Sequence, residues 1–148
     1  MKKVVCFFVS WFMCLILYAQ PVLDFKTKNE RNVKERTQML DLLRNEVRSA
    51  FKQEVVFVVE HFKVCGNYAY LEAVAQRKDA KKLIIDSPGV DCCLAGALFV
   101  KNGSVWQVAR DGVFRSDAWN WCIAHDFPLA NRSIFSEMAL NASAQCEQ

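Results

Sequence analysis

Several places in this chain combine residue types able to do chemistry. Cys122 and His125 stand one helical turn apart, close enough for a thiol and an imidazole to share a proton or a ligand. A catalytic dyad also needs a third group to orient it, and a structural zinc site needs four ligands. Asp126 adjoins His125 in sequence, which does not place it for that role. A short helix with Cys122 inward and His125 at its rim is the more ordinary reading. His61, beside Glu60 in a β-branched run, is a second weak candidate base. Surface at a strand edge explains it as readily. Asp91-Cys92-Cys93 sets two thiols side by side, but adjacent cysteines do not comfortably serve one tetrahedral site, and no Cys-x-x-Cys is present. The expectation is no catalytic set, no metal and no cofactor.

The aromatic residues carry more. Tyr68, Tyr70, Trp106, Phe114, Trp119 and Trp121 fall in the second half of the chain's strand region and just beyond it. In a small domain most of these build core. A curved sheet can also leave a cleft at one end, and an aromatic cleft lipped by charged residues suits a small ligand or a peptide. The candidate binding residues are Tyr68, Tyr70, Trp106, Arg110, Arg115, Trp119 and Trp121, with Asp111 and Asp117 among the charges at the lip.

The elements that must position these residues follow from periodicity. Met1-Lys2-Lys3 precedes an apolar run, Val4–Leu17, broken only by Ser10, and Tyr18-Ala19-Gln20 follows. That is the pattern of a signal peptide cut after Ala19, and the run is shorter than the roughly 20 residues of a spanning helix. Leu17 stands at the third position before the cut, where a small residue is preferred. An uncleaved N-terminal membrane anchor is the alternative. The expected compartment is the periplasm or the exterior. The leader inflates the 53% hydrophobic content, and Lys2 and Lys3 supply most of the +3 net charge. The remainder is near neutral, which removes the electrostatic case for nucleic acid. Partners are then an envelope protein, a peptide or a small ligand, with no stable membrane span after cleavage.

Residues 20–36 are polar and charged and read as a tether; residues 37–148 read as one domain. Leu40, Leu43, Val47, Ala50 and Phe51 recur at three- and four-residue steps, predicting an amphipathic helix that starts at a Thr37 cap. The period then changes to that of strands. Val55–Val64 and Tyr68–Arg77 form one hairpin, in which Tyr68, Tyr70, Glu72 and Val74 face away from Ala69, Leu71, Ala73 and Ala75. A loop containing Ser87-Pro88-Gly89 follows. Cys92–Lys101 and Ser104–Phe114 form a second hairpin on Asn102-Gly103. Short helices capped by Ser116 and Ser133 close the chain. The expected fold is α+β: an N-terminal amphipathic helix packed on a four-stranded antiparallel meander, in two layers.

Outside the leader the cysteines are Cys65, Cys92, Cys93, Cys122 and Cys146. An exported chain meets an oxidising compartment, and an odd number leaves at least one without an internal partner. In the meander Cys65 lies about nine residues, or roughly 30 Å, from Cys92 and Cys93. A bridge spans only about 6 Å between α-carbons. The disulfide candidate is therefore Cys92 or Cys93 with Cys122; full reduction is the other outcome.

The runs Val56–Val59 and Phe62–Leu71, with Ala97–Gly103, Trp106-Gln107-Val108 and Ser116-Asp117-Ala118-Trp119, resemble a group of small exported bacterial proteins of unknown function. The resemblance covers about residues 37–125 and brings no catalytic residues with it. In outline the order is similar to cystatin-like and nuclear-transport-factor-like folds, in which a curved antiparallel sheet wraps a helix. One main helix before the sheet is fewer than the latter fold typically has. The leader, the missing catalytic set and the aromatic-rich end of the strand region together lead to the expectation of an exported binding or interaction domain without enzymatic activity. The alternative is a small cleft enzyme using His61 or His125 with a carboxylate.

Overall fold

The computed structural model describes residues 20–81, 83–85, 92–115 and 117–146. The leader, the Ser87-Pro88-Gly89 loop and the Ser116 cap lie outside them. Helix α1 runs Val33–Phe51 and buries the stripe Met39, Leu40, Leu43 and Val47. It begins ahead of Thr37 because two asparagines organise its approach. The Asn32 backbone N–H donates to Asn29 Oδ1 (3.1 Å), and the Asn29 N–H donates to Asn32 Oδ1 (2.9 Å). Asn32 Nδ2 also donates to Thr27 O (2.8 Å), which satisfies a buried polar side chain. At the other end Lys52 takes a left-handed conformation and its N–H closes on Arg48 O.

The sheet has five antiparallel strands in chain order: β1 (Leu23–Asp24), β2 (Val56–Cys65), β3 (Tyr68–Gln76), β4 (Leu94–Asn102) and β5 (Val105–Asp111). Gly66 and Gly103 occupy the left-handed positions of the two hairpin turns, at φ 58° and 62°. The α+β expectation and the four-strand meander stand, and β1 adds a fifth strand at the edge. Residues 20–36, read as a tether, carry β1 and the first turn of α1. Phe25 is 4% exposed and meets Phe62 edge-on at 5.7 Å. Arg36 Nε donates to Phe25 O (2.8 Å), fastening the segment to α1.

The second departure is the number of layers. On one face Ala69, Leu71, Ala73, Ala75, Ala95, Ala97 and Phe99 pack toward α1. On the other, Tyr70 and Leu98 pack beneath Ile123, Ala124, Ile134, Phe135 and Ala139 from the C-terminal segment. That segment comprises a 3₁₀ turn (Asp117–Asn120), α2 (Ile123–Asp126), a second 3₁₀ turn (Arg132–Ile134) and α3 (Glu137–Ala144). The sheet is therefore covered on both faces, and the two-layer expectation gives way to three. Successive residues of β3 and β4, such as Tyr70 and Leu71 or Leu98 and Phe99, are all fully buried. Each large side chain so buried contributes about 1.5–3 kcal/mol. Ser136 caps α3 by accepting from Ala139 N, where Ser133 was expected to start the final helix.

The cysteine pairing differs too. Cys122 bonds Cys146, with α-carbons 5.6 Å apart, and Cys92 bonds its neighbour Cys93. Cys65 is reduced and buried, its thiol donating to Gln20 O. The expected bridge from Cys92 or Cys93 to Cys122 is thus corrected: α3 folds back on α2 and delivers Cys146 first. No helix among the described residues is long and apolar enough to cross a membrane. Closing a loop of 24 residues is worth about 3 kcal/mol of unfolded-chain entropy. The double substitution Cys122→Ser/Cys146→Ser should therefore lower stability by about 2–4 kcal/mol in denaturant unfolding, and non-reducing peptide mapping of the unaltered protein should recover one Cys122–Cys146 cross-link.

Candidate functional site

The site is built where the C-terminal cover stops short of the sheet's end. Gly96 of β4 and Gly112, just past β5, exchange backbone hydrogen bonds (2.9 and 3.3 Å). Neither has a side chain, and the indole of Trp119 lies on both; a Cβ at either position would fall well inside van der Waals contact with the ring. The same indole stacks on Tyr70, with centroids 5.7 Å apart and planes 13° from parallel. Tyr70 in turn meets Phe135 edge-on at 5.2 Å and His61 at 5.8 Å. Its hydroxyl donates to Glu72 Oε1 (2.6 Å), and Ser136 Oγ donates to the same oxygen (2.6 Å). Burial, then the Glu72 charge, push the Tyr70 hydroxyl far above its ordinary range, so it acts here only as a neutral donor.

Beside the indole lies a cleft of about 80 Å³, room for several waters or a small ligand group. Glu72 and Gly96 line it from the sheet, Trp119 and Asn120 from the cover, and Leu94, Met138 and Glu60 stand around them. Toward the sheet's end the strands place Val58, Val74 and Leu94 directly opposite one another. Val58 is 47% and Leu94 48% exposed, so an uncovered apolar row leads to the cleft. Glu60 sits at a break in the β2–β3 register, where Val59 pairs Ala73 and His61 pairs Glu72. This bulge brings Glu60 beside Glu72 on the cleft.

Of the sequence candidates the structure brings Tyr70 and Trp119 together and disperses the rest. Tyr68 packs half-buried in the same layer. Trp106 is 3% exposed on the opposite face, against α1, with Lys101 Nζ 5.4 Å above its ring. Trp121 stands in solvent, its carbonyl accepting from Arg110 (3.2 Å). Arg110 also pairs with Asp126 (2.6 Å) and lies over Phe127. Arg115 pairs instead with Asp111 (3.0 Å). The expected lip of Arg110 and Arg115 is therefore two separate ion pairs, neither of them on the cleft.

The catalytic candidates are also apart from it. His61 Nε2 faces Ile134 O at 2.6 Å. His125 Nδ1 lies 3.2 Å from Asp126 Oδ1 on open surface. The Arg110 hydrogen bond, more than that of His125, holds the Asp126 carboxyl below its usual range. Cys122 is in a disulfide and offers no thiol. Among the described residues no three His, Cys, Asp or Glu side chains converge to hold a metal ion. Glu60, Glu72, Leu94, Gly96, Asn120 and Met138 were not among the sequence candidates. The signals for them were strand alternation, which puts Glu72 on the face of Tyr70, and glycine inside a strand, which marks close approach by something else.

Adding a methyl at Gly96 tests the bed. Gly96→Ala should cost about 1–3 kcal/mol as an overpacked contact, and should shift the Trp119 indole resonance while leaving that of Trp106 in place. An unshifted Trp119 would remove the bed from the account.

A second cluster joins α1 to the end of β5. Burial, then the charge of Asp111 and a hydrogen bond with it, raise the Glu46 carboxyl to about 7, against the opposing pull of Arg115. A raised acid binds its proton in the folded chain after the unfolded chain has lost it. Stability therefore falls as pH rises from the ordinary carboxylate range through about 7. Glu46 is only half-buried, so screening reduces the effect to on the order of 1 kcal/mol. Glu46→Gln should match the parent near pH 4 and exceed its stability by that amount at pH 8. Parallel denaturant curves at the two pH values check it, and an equal difference at both would refute the shared proton.

Compared with models of known protein families, with curated proteins and with solved structures, the chain matches none of them.

Proposed function

We propose that this chain is an exported, non-enzymatic binding domain whose ligand enters the cleft beside Trp119. The observation that carries the reading is the uncovered row Val58–Val74–Leu94 running into a pocket with one rigid aromatic wall. Binding sites combine an apolar approach with a few fixed polar groups, and here Asn120 and Glu72 are held by the Tyr70 and Ser136 hydrogen bonds. The rival reading, a small enzyme with a His/carboxylate pair, needs His61 or His125 on the cleft. His61 faces a backbone carbonyl instead, and His125 shares Asp126 with an arginine.

Export is supported by the leader pattern and by the Cys122–Cys146 bond, which suits an oxidising compartment. Cleavage after Ala19 releases the domain to the periplasm or the exterior; retention of the leader tethers it to the membrane. One long helix ahead of an antiparallel meander also fits the outline of cystatin-like folds, an analogy that leaves function open.

The experiment compares molecules retained from the envelope fraction by the unaltered protein and by Leu94→Trp and Met138→Trp, two exposed positions where a larger side chain narrows the mouth. Mass spectrometry should find the same retained species depleted in both variants. Undiminished retention in both would place binding elsewhere.

A further inference from the structure

Building on the cleft as the ligand site, we infer that it takes an organic cation on an apolar stem: a protonated amine or guanidinium that enters head-first between Glu60 and Glu72 while its stem lies on Val58, Val74 and Leu94.

The lining supplies two carboxylates and no cationic side chain. Glu60 forms no ion pair or hydrogen bond among the described residues. Glu72 is positioned by two donors that both use Oε1, and a carboxylate has a second oxygen to offer. Tyr70 and Ser136 are neutral donors, so they orient Glu72 without cancelling its charge. Beside an apolar wall that charge is less screened than in open water. A cation entering the cleft gains both carboxylates, whereas an anion meets two like charges.

The stem requirement follows from the strand register. Val58, Val74 and Leu94 form a straight line across β2, β3 and β4, one step from the row that contains Glu72 and Gly96. A head group at Glu72 therefore has an apolar track behind it. Two sources carry such a group: a free alkyl or aryl amine, and a lysine or arginine within an extended peptide. The second has a seat, because β1 pairs only with Lys63 and Val64 of β2. The outer edge of Val56–Glu60 has no strand partner among the described residues, and an added strand would run there.

The test titrates the purified protein with hexylamine, hexanol and hexanoate, following the Gly96 and Gly112 amides and the Trp119 indole by NMR. Hexylamine should bind about tenfold or more tightly than hexanol and hexanoate should not bind. Glu60→Gln and Glu72→Gln should each weaken hexylamine by about fivefold; Glu60 is exposed, so its replacement leaves the fold intact. Raised salt should weaken hexylamine alone. Equal binding of hexylamine and hexanol overturns the inference while sparing the cleft as a binding site. Binding of no probe overturns both. A blocked valine–lysine–valine peptide separates the sources: tighter binding than hexylamine, with shifts along Val56–Glu60, assigns the cation to a peptide, and equal or weaker binding assigns it to a free amine.

Discussion

The indole of Trp119, lying on two glycines and stacked against Tyr70, is the contact on which the second layer depends. It is the first element of the C-terminal cover to touch the sheet, and it does so where β4 and β5 have no side chains to keep it away. Backbone-to-ring contact sets the height of the whole cover. From there Tyr70 passes the constraint on, through Phe135 to the second 3₁₀ turn and through Glu72 to Ser136, the cap of α3. A flat ring on a glycine bed thus positions groups far apart in sequence: Gly96, Gly112, Asn120 and Met138.

The two faces of the sheet solve different packing problems. Toward α1 the strands present alanines (Ala69, Ala73, Ala75, Ala95, Ala97) between larger residues such as Leu71 and Phe99. Small residues on a strand let the helix approach, and Met39, Leu40, Leu43 and Val47 fill what they leave. Toward the cover the strands present Tyr70 and Leu98, large enough to meet short helices that cannot follow the sheet's twist closely. Those helices are too short to be stable alone. Their hold is tertiary: the Cys122–Cys146 bond, the buried Ser143 Oγ accepting from Ala124 N (3.0 Å), and His61 against Ile134 O.

What was legible in the sequence was what is local. The Leu40–Leu43–Val47 stripe depends on helical spacing, and the Asn102-Gly103 turn on one dipeptide, so α1 and both hairpins follow without tertiary knowledge. β1 was not legible because two residues carry no period; Leu23 and Asp24 become a strand only because β2 offers an edge. The third layer had a signal in the unbroken apolar run from Ala95 to Val100, which one-sided burial would not require. The cysteine pairing failed for a related reason. With the cover's path unknown, Cys146 had no place, and Cys92 and Cys93 stood nearest Cys122 by default. The candidate site was legible only in part. Tyr70 and Trp119 stood out as aromatics, but Glu60 reaches the cleft through a bulge and Glu72 through alternation on the face opposite α1.

The cover's path leaves the cleft at its margin. From Trp119 to α3 the segment shields the sheet from the Tyr70 row toward the Gly66 turn and ends at Met138 on the other side. The Val58–Val74–Leu94 row lies one step beyond it. Covering that row would gain roughly 25 cal/mol for each Å² of apolar surface removed from water. The exposed Val58 and Leu94 are thus a cost in stability left standing beside the one pocket wall that glycine, indole and tyrosine hold most firmly.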